Sequence, residues 1–260
     1  MSTAKMRMGK LFNKETGRAF VVAFDHGQAL PIPEGLGNPI DVMKRIIDGK
    51  PEGILITAGM LNQTKELFAF HGSPMPIVRA DWTTLDPKMA DTLGEQYRQL
   101  VKPAEALAMG AEAICTYIIG WPEEGKMFAE NIETVARIIN EAHQIGLPVI
   151  VEATLWGSRI DDKKDYQMLR QMNRIAAELG ADALKTEFIG DVEKQRTLIE
   201  ECGDVPVLTL GGSAASPEAV AEAAQGAISA GAKGLIFGRN VWQVDDMESA
   251  MKTLSGIVHA

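Results

Sequence analysis

Short apolar runs alternate with longer amphipathic segments along almost the whole chain. The runs are AFVVAF (19–24), GILITA (53–58), PIVRAD (76–81), EAICTYII (112–119), PVIVEAT (148–154), ALKTEF (183–188), PVLTLG (206–211) and GLIFG (234–238). They are rich in β-branched and aliphatic residues and lack strict alternation, the pattern of strands covered on both faces. Between them the spacing becomes helical. NPIDVMKRIIDG places Pro39 at a helix start behind Asn38 as a cap. MFAENIETVARIINEAHQIG repeats Ile132, Val135, Ile138, Ile139 and Ala142 at helical spacing and closes at Gly146. DYQMLRQMNRIAAELG and SPEAVAEAAQGAISAG close in the same way at Gly180 and Gly231, each just before the next run.

Strands alternating with helices imply parallel βαβ units. Eight such units in a chain of 260 residues predict an α/β fold, a single (β/α)8 TIM barrel. An open doubly wound sheet would more often use fewer strands and a glycine fingerprint after the first. FDHGQALPIPEG supplies no G-x-G-x-x-G. No linker or composition break divides the chain, so residues 1–260 are expected to form one barrel domain, with 1–18 covering its floor.

Composition narrows the setting. Apolar residues make up 46% and charged residues 23%, ordinary for a globular chain with a full core. The net charge of −9 argues against a nucleic-acid or anionic-membrane partner but leaves room for a local anion site. Cys115 and Cys202 form no disulfide framework and read as reduced packing residues. MSTAKMRMGKLFNKETG lacks the apolar stretch of a signal peptide, and no run approaches a membrane span. A cytoplasmic enzyme is expected.

Chemistry in such barrels sits at the C-terminal strand ends. The first run ends with Asp25 and His26, the third carries Arg79 and Asp81, and the fourth carries Tyr117. The fifth ends with Glu152 and Thr154, and the sixth with Lys185 and Glu187. Lys185 stands out, because a buried ammonium is rare without a partner or a task. Residues two apart on a strand share a face, so Glu152 points with Thr154 and Lys185 with Glu187. Inside the lumen, burial and a neighbouring cation such as Arg79 would favour the neutral amine, which attacks carbonyls to form a Schiff base. Facing outward, Lys185 would snorkel between helices; inside, it could equally pair with Glu187 as filling.

Two glycine-rich elements add to this. LTLGGSAASPEA (208–219) follows the seventh run and LIFGRNVW (235–242) the eighth, the usual places for a phosphate site in these barrels. Gly211, Gly212 and Gly238 allow backbone N–H groups close to an anion, Ser213 adds a hydroxyl, and Arg239 a charged fork. Arg79, Thr154 and His26 complete the candidate substrate contacts. The four histidines, His26, His71, His143 and His259, form no close-spaced pair, so neither a metal nor another cofactor is expected.

AFDHG, GADALKTEF, VPVLTLGGS and GLIFGRNVWQ, in this order, resemble the archaeal-type class I fructose-bisphosphate aldolases, a family often grouped with the deoxyribose-phosphate aldolases. The match runs through roughly residues 10–255. It implies a Schiff-base lysine at Lys185, a functional acid at Asp25, and phosphate binding by Gly211, Gly212, Ser213, Gly238 and Arg239. It also implies metal-free cleavage of a phosphorylated keto sugar by a homo-oligomer. One departure matters. These aldolases usually end the fifth strand with a tyrosine acid/base in a YPRG-like context, whereas this chain has VEATLWG. Thr154 falls on the tyrosine and Glu152 on a nearby aromatic. Threonine carries protons poorly near neutral pH and glutamate carries them well. Proton transfer is therefore expected at Glu152, with Glu187 or Tyr117 as second choices. The start, KLFNKETGRAFVVAFDHG, also resembles the branch that processes phosphorylated autoinducer-2 and transfers an acetyl group. A thiolase or isomerase acting on a small phosphorylated diketone is the alternative, and a non-catalytic phosphosugar-binding barrel is a third.

Overall fold

The computed structural model describes residues 3–31 and 37–260. Its strands are β1 (Ala19–Phe24), β2 (Gly53–Thr57), β3 (Met75–Arg79), β4 (Asp81–Thr83), β5 (Tyr97–Gln99), β6 (Ala113–Ile119), β7 (Val149–Thr154), β8 (Ala183–Glu187), β9 (Val207–Leu210) and β10 (Gly234–Phe237). Eight of them pair in parallel and close a barrel in the order β1-β10-β9-β8-β7-β6-β3-β2. The fold is a (β/α)8 TIM barrel. Each predicted apolar run coincides with one of these strands. The exception in extent is PIVRAD: β3 stops at Arg79, and Asp81 opens a separate antiparallel ribbon in which β4 pairs with β5. The ribbon's strands are three residues each, too short to leave a periodic signature. Because of it, Lys185 lies on β8, the sixth strand of the barrel proper.

The helices form where caps and stripes coincide. The Asn38 side chain accepts from the Ile40 N–H at 3.0 Å and starts the helix Pro39–Asp48. Asp165 caps Tyr166–Glu178 through Met168, and Ser216 caps Pro217–Ser229 through Ala219. Each cap is worth about 1 kcal/mol. The helix Gly125–Gln144 buries Val135, Ile138, Ile139 and Ala142. Among the described residues no helix is long and apolar enough to cross a membrane.

Alternation along the strands separates two cores. Outward residues such as Phe20, Val22, Ile54, Ile56, Val149 and Val151 pack against the helices. Inward residues Ala19, Val21, Leu55, Ile77, Cys115, Ile150, Ala183, Leu208 and Ile236 fill the lumen. Met8 and Leu11 join this inner cluster from the N-terminal segment. A Cβ on Gly53, the first residue of β2, would lie 2.9 Å from Leu11, so that segment packs against the end where the strands begin. The lumen is thus filled from below, and chemistry is left to the other end.

Candidate active site

One step along each strand, the inward positions change character. Asp25, Arg79, Tyr117, Glu152 and Lys185 follow Ala23, Ile77, Cys115, Ile150 and Ala183 on the same faces. Strand register places Tyr117 beside Glu152, and Glu152 beside Lys185. Lys185 Nζ lies 2.7 Å from Glu152 Oε1. The other carboxylate oxygen, Oε2, accepts from Arg79 Nη2. Arg79 Nε donates to Asp25 Oδ2 at 2.9 Å, and the guanidinium lies 3.7 Å from the centre of the Tyr117 ring. Lys185 is 5% exposed, Arg79 2% and Glu152 1%. Charges so enclosed are tolerated only when paired, and here two cations share one glutamate. Lys185 therefore points inward and takes Glu152 rather than Glu187 as its partner.

Asp81 extends the network. Its Oδ2 accepts from the Tyr117 N–H at 2.7 Å and from the Thr116 hydroxyl, while Oδ1 lies 3.8 Å from Arg79 Nη1. Neither Asp81 Oδ1 nor Arg79 Nη1 has a hydrogen-bond partner. Further toward the mouth on β8, Glu187 shares the face of Lys185. Thr154 shares the face of Glu152, but its hydroxyl donates to the Ile118 carbonyl at 3.2 Å and it is fully buried.

Burial sets most of the proton affinities. It pushes Glu187 up to about 7, against the pull of Lys164 and a hydrogen bond from Trp156. It pushes Asp81 up to about 6 despite Arg79, Thr116 and the Tyr117 amide. Burial alone would raise Asp25 too, but Arg79 and Lys185 outweigh it and hold that carboxyl below its ordinary value. Burial lowers His26 to about 4, so its ring is neutral near pH 7. Tyr117 is driven well above the ordinary tyrosine range by burial, which outweighs Arg79. As a proton carrier near neutral pH Tyr117 is thereby disfavoured, and its ring serves as packing for the guanidinium.

The glycine-rich turns lie beside this cluster. Asn240 stitches the turn after β9 to the turn after β10: its Nδ2 donates to Gly211 O at 2.7 Å and Ser213 O at 3.1 Å, and its Oδ1 accepts from the Ala215 N–H at 3.0 Å. Gly212 sits at φ 66°, a left-handed conformation that favours glycine. Arg239 Nη2 donates to Gly212 O at 3.1 Å, while its Nε is buried without a partner. A Cβ on Gly238 would lie 2.3 Å from His26 Cε1. The imidazole thus packs directly on this turn, edge-on to Trp242, with its Nδ1 3.6 Å from Asp25 Oδ1. His26 links the two halves of the site.

The roles of three participants escape a reading of the sequence alone. Asp81 is visible as a strand-end carboxylate but not in its role against Tyr117 and Thr116, Asn240 looks like the start of a helix, and Trp156 like a loop aromatic. The triplet GRN did carry a signal for Asn240, since a side-chain amide is suited to tying two turns. Trp156 follows β7, is half-buried, and has its ring centre 5.6 Å from that of Tyr117.

A barrel with a carboxylate-paired interior lysine on its sixth strand, and glycine turns after the seventh and eighth, has the build of a carbonyl-processing barrel enzyme. Residues 19–244 match the family described as DeoC/LacD family aldolase, and the chain belongs to that family. It is a class I aldolase, an aldehyde-lyase of the Schiff-base type. An uncharacterised aldolase of Saccharolobus solfataricus is 32% identical over 262 residues, covering 100% of this chain and 95% of that protein. The class 1 fructose-bisphosphate aldolase of Thermoproteus tenax is 30% identical, covering 94% of this chain and 90% of that one. An archaeal fructose-1,6-bisphosphate aldolase, solved with its catalytic lysine covalently bound to the carbinolamine intermediate of the substrate, superposes with a TM-score of 0.85. Its identity is 25%, over 99% of this chain and 100% of that chain.

Proposed function

We propose that this aldolase cleaves and forms a carbon–carbon bond in a phosphorylated ketose, with Lys185 as the imine-forming residue and Glu152 as its proton carrier. The observation that carries the reading is the 2.7 Å contact between Lys185 Nζ and Glu152 inside the lumen, beside the paired glycine turns. Glu152 takes a proton from the Lys185 ammonium, and the free amine adds to the substrate ketone. Glu187, half-protonated near pH 7, gives a proton to the carbinolamine hydroxyl, which leaves as water. Glu152 passes its proton to solvent and, again a carboxylate, removes the proton of the hydroxyl β to the iminium carbon. The carbon–carbon bond breaks, its electrons flow to the iminium nitrogen, and an aldehyde departs. The protonated Glu152 returns its proton to the enamine carbon on Lys185, and water hydrolyses the resulting iminium, releasing the second product. Asp25, held by Arg79, is placed to orient a substrate hydroxyl. The Gly211–Ser213 and Gly238–Arg239 turns hold the phosphate, whose binding fixes the reacting carbon over the amine. Thr154, its hydroxyl committed to Ile118, takes no proton-transfer role.

Borohydride reduction with dihydroxyacetone phosphate, read by intact mass, tests this. The expected result is a mass gain of one reduced triose phosphate that is absent in Lys185→Met. An unmodified wild-type protein across a panel of ketose and triose phosphates would overturn it.

A further inference from the structure

The two sides of the mouth differ in chemistry. In the closed strand order, β10 lies four strands from β6 and β9 four from β3 whichever way round one counts. The glycine turns and the top of β6 therefore face each other across the barrel, with Lys185 on β8 between them. Along β6, the inward positions run from Ala113 and Cys115 to Tyr117 and Ile119. Tyr117 and Ile119 join Tyr97, Met127, Leu85 and Trp156 in an apolar cluster of their own, separate from both main cores.

This wall is fixed in place. The Glu95 carboxylate, between β4 and β5, accepts from the Ser158 N–H at 2.6 Å, the Ser158 hydroxyl at 3.1 Å and the Glu123 N–H. It ties the loops after β6 and β7 together, and Gly157 N donates to Gly120 O at 3.0 Å beneath it. A wall held by three segments is preorganised for whatever rests on it.

On this side the buried cations are already engaged. Arg79 is engaged by Asp25 and Glu152, and Lys185 by Glu152. Glu187 adds another carboxyl at the mouth. The loop after β6, residues 120–125, contains no lysine or arginine, and the cations of the loop after β7, Arg159, Lys163 and Lys164, are exposed. Lys164 is the cation that acts most strongly on Glu187. A second phosphate here would meet carboxylates and aromatic rings rather than a glycine cradle.

Resting on the aldolase reading above, we propose that the substrate is a ketose monophosphate whose far end is uncharged and poor in hydroxyls. The aldehyde released on cleavage, and consumed in the reverse direction, is then short and apolar and rests on Tyr117, Ile119 and Trp156. In that reverse reaction the enamine carbon on Lys185 attacks the aldehyde carbon. The carbonyl π electrons move to oxygen, which takes a proton from the acid form of Glu152, and water hydrolyses the resulting iminium.

The test is aldol addition by the wild-type enzyme with dihydroxyacetone phosphate and two competing acceptors, propanal and glyceraldehyde 3-phosphate. The expected kcat/KM is at least about 10-fold higher for propanal, a modest discrimination for an apolar pocket. Trp156→Arg should shift the ratio toward the phosphorylated acceptor. Should that variant fold poorly, Trp156→Gln should still lower the preference for propanal. Equal or better use of glyceraldehyde 3-phosphate would overturn the proposal, and loss of that activity in Lys164→Ala would place the opposing phosphate contact at Lys164. Borohydride trapping in parallel separates the two readings. Trapping with a phosphorylated-acceptor preference sinks only this inference, whereas absence of trapping sinks both.

Discussion

Two layers of one lumen, built by the same strands, obey different rules. In the lower layer Val21, Leu55, Ile77, Cys115, Ile150, Ala183 and Leu208 interdigitate as an ordinary apolar core. Nearer the mouth the same faces present Asp25, Arg79, Tyr117, Glu152 and Lys185, two residues beyond Ala23, Ile77, Cys115, Ile150 and Ala183. The lower layer stabilises by burying area. The upper layer is nearly as enclosed, yet it contains charges that hold only because each is paired. Lys185 is the case in point: Ala183 beneath it is inert packing, and the shift from core to chemistry takes one pleat of β8.

Substitutions can break this comparison. The largest effect on turnover is expected from Glu152→Gln, which keeps the shape and removes the proton carrier. Activity per folded molecule should fall by about 10²–10⁴, measured by aldehyde release under saturating substrate. Arg79→Met should do most damage to stability, because it strands Asp25 as a buried carboxylate and leaves Glu152 with Lys185 alone. A loss of about 3–5 kcal/mol is expected in urea unfolding. Ile150→Ala, directly below Glu152 on β7, should cost about 2–5 kcal/mol through its cavity while the surviving folded enzyme still forms the lysine adduct. If Ile150→Ala instead abolished adduct formation in folded protein, the division between layers would fail.

The smallest effect is one of pH. Glu187 holds its proton in the fold up to about 7, against an ordinary value of 4.5. Below about 4.5 both folded and unfolded chains are protonated there, and its contribution to stability is complete. That contribution is lost as pH rises through about 7, because the unfolded chain ionises freely and the folded one resists. Glu187→Gln should flatten this part of the stability–pH curve, leaving the shallower fall from Asp81, which ends near 6. An unchanged slope in Glu187→Gln would show that the carboxyl ionises normally.

Much of this was legible in the sequence, for identifiable reasons. All eight barrel strands coincide with runs marked by burial on both faces, because a covered parallel strand leaves a continuous apolar signature. Lys185 was conspicuous because a buried ammonium inside such a run is rare without a partner or a task. Its partner was not legible. Whether it would pair with Glu187 on its own strand or Glu152 on the next depends on how the closed barrel staggers its strands, which no local pattern encodes. Arg79 was visible as a candidate substrate contact, yet its burial between Asp25 and Glu152 is a property of closure. The β4–β5 ribbon stayed hidden because three-residue strands carry no period, and with it went Asp81's role against Tyr117 and Thr116. Asn240 was written in GRN, but the loop it ties lies more than twenty residues away in sequence.

The pairing of Lys185 with Glu152 is the central claim, and hydrogen exchange into the donor tests it most directly. Dihydroxyacetone phosphate incubated with enzyme in heavy water should lose one hydrogen from the carbon that becomes nucleophilic, followed by proton NMR. The wild type should exchange, Lys185→Met should not, and Glu152→Gln should exchange at least about 100-fold more slowly although it is still trapped by borohydride. Exchange by Glu152→Gln at the wild-type rate would contradict it.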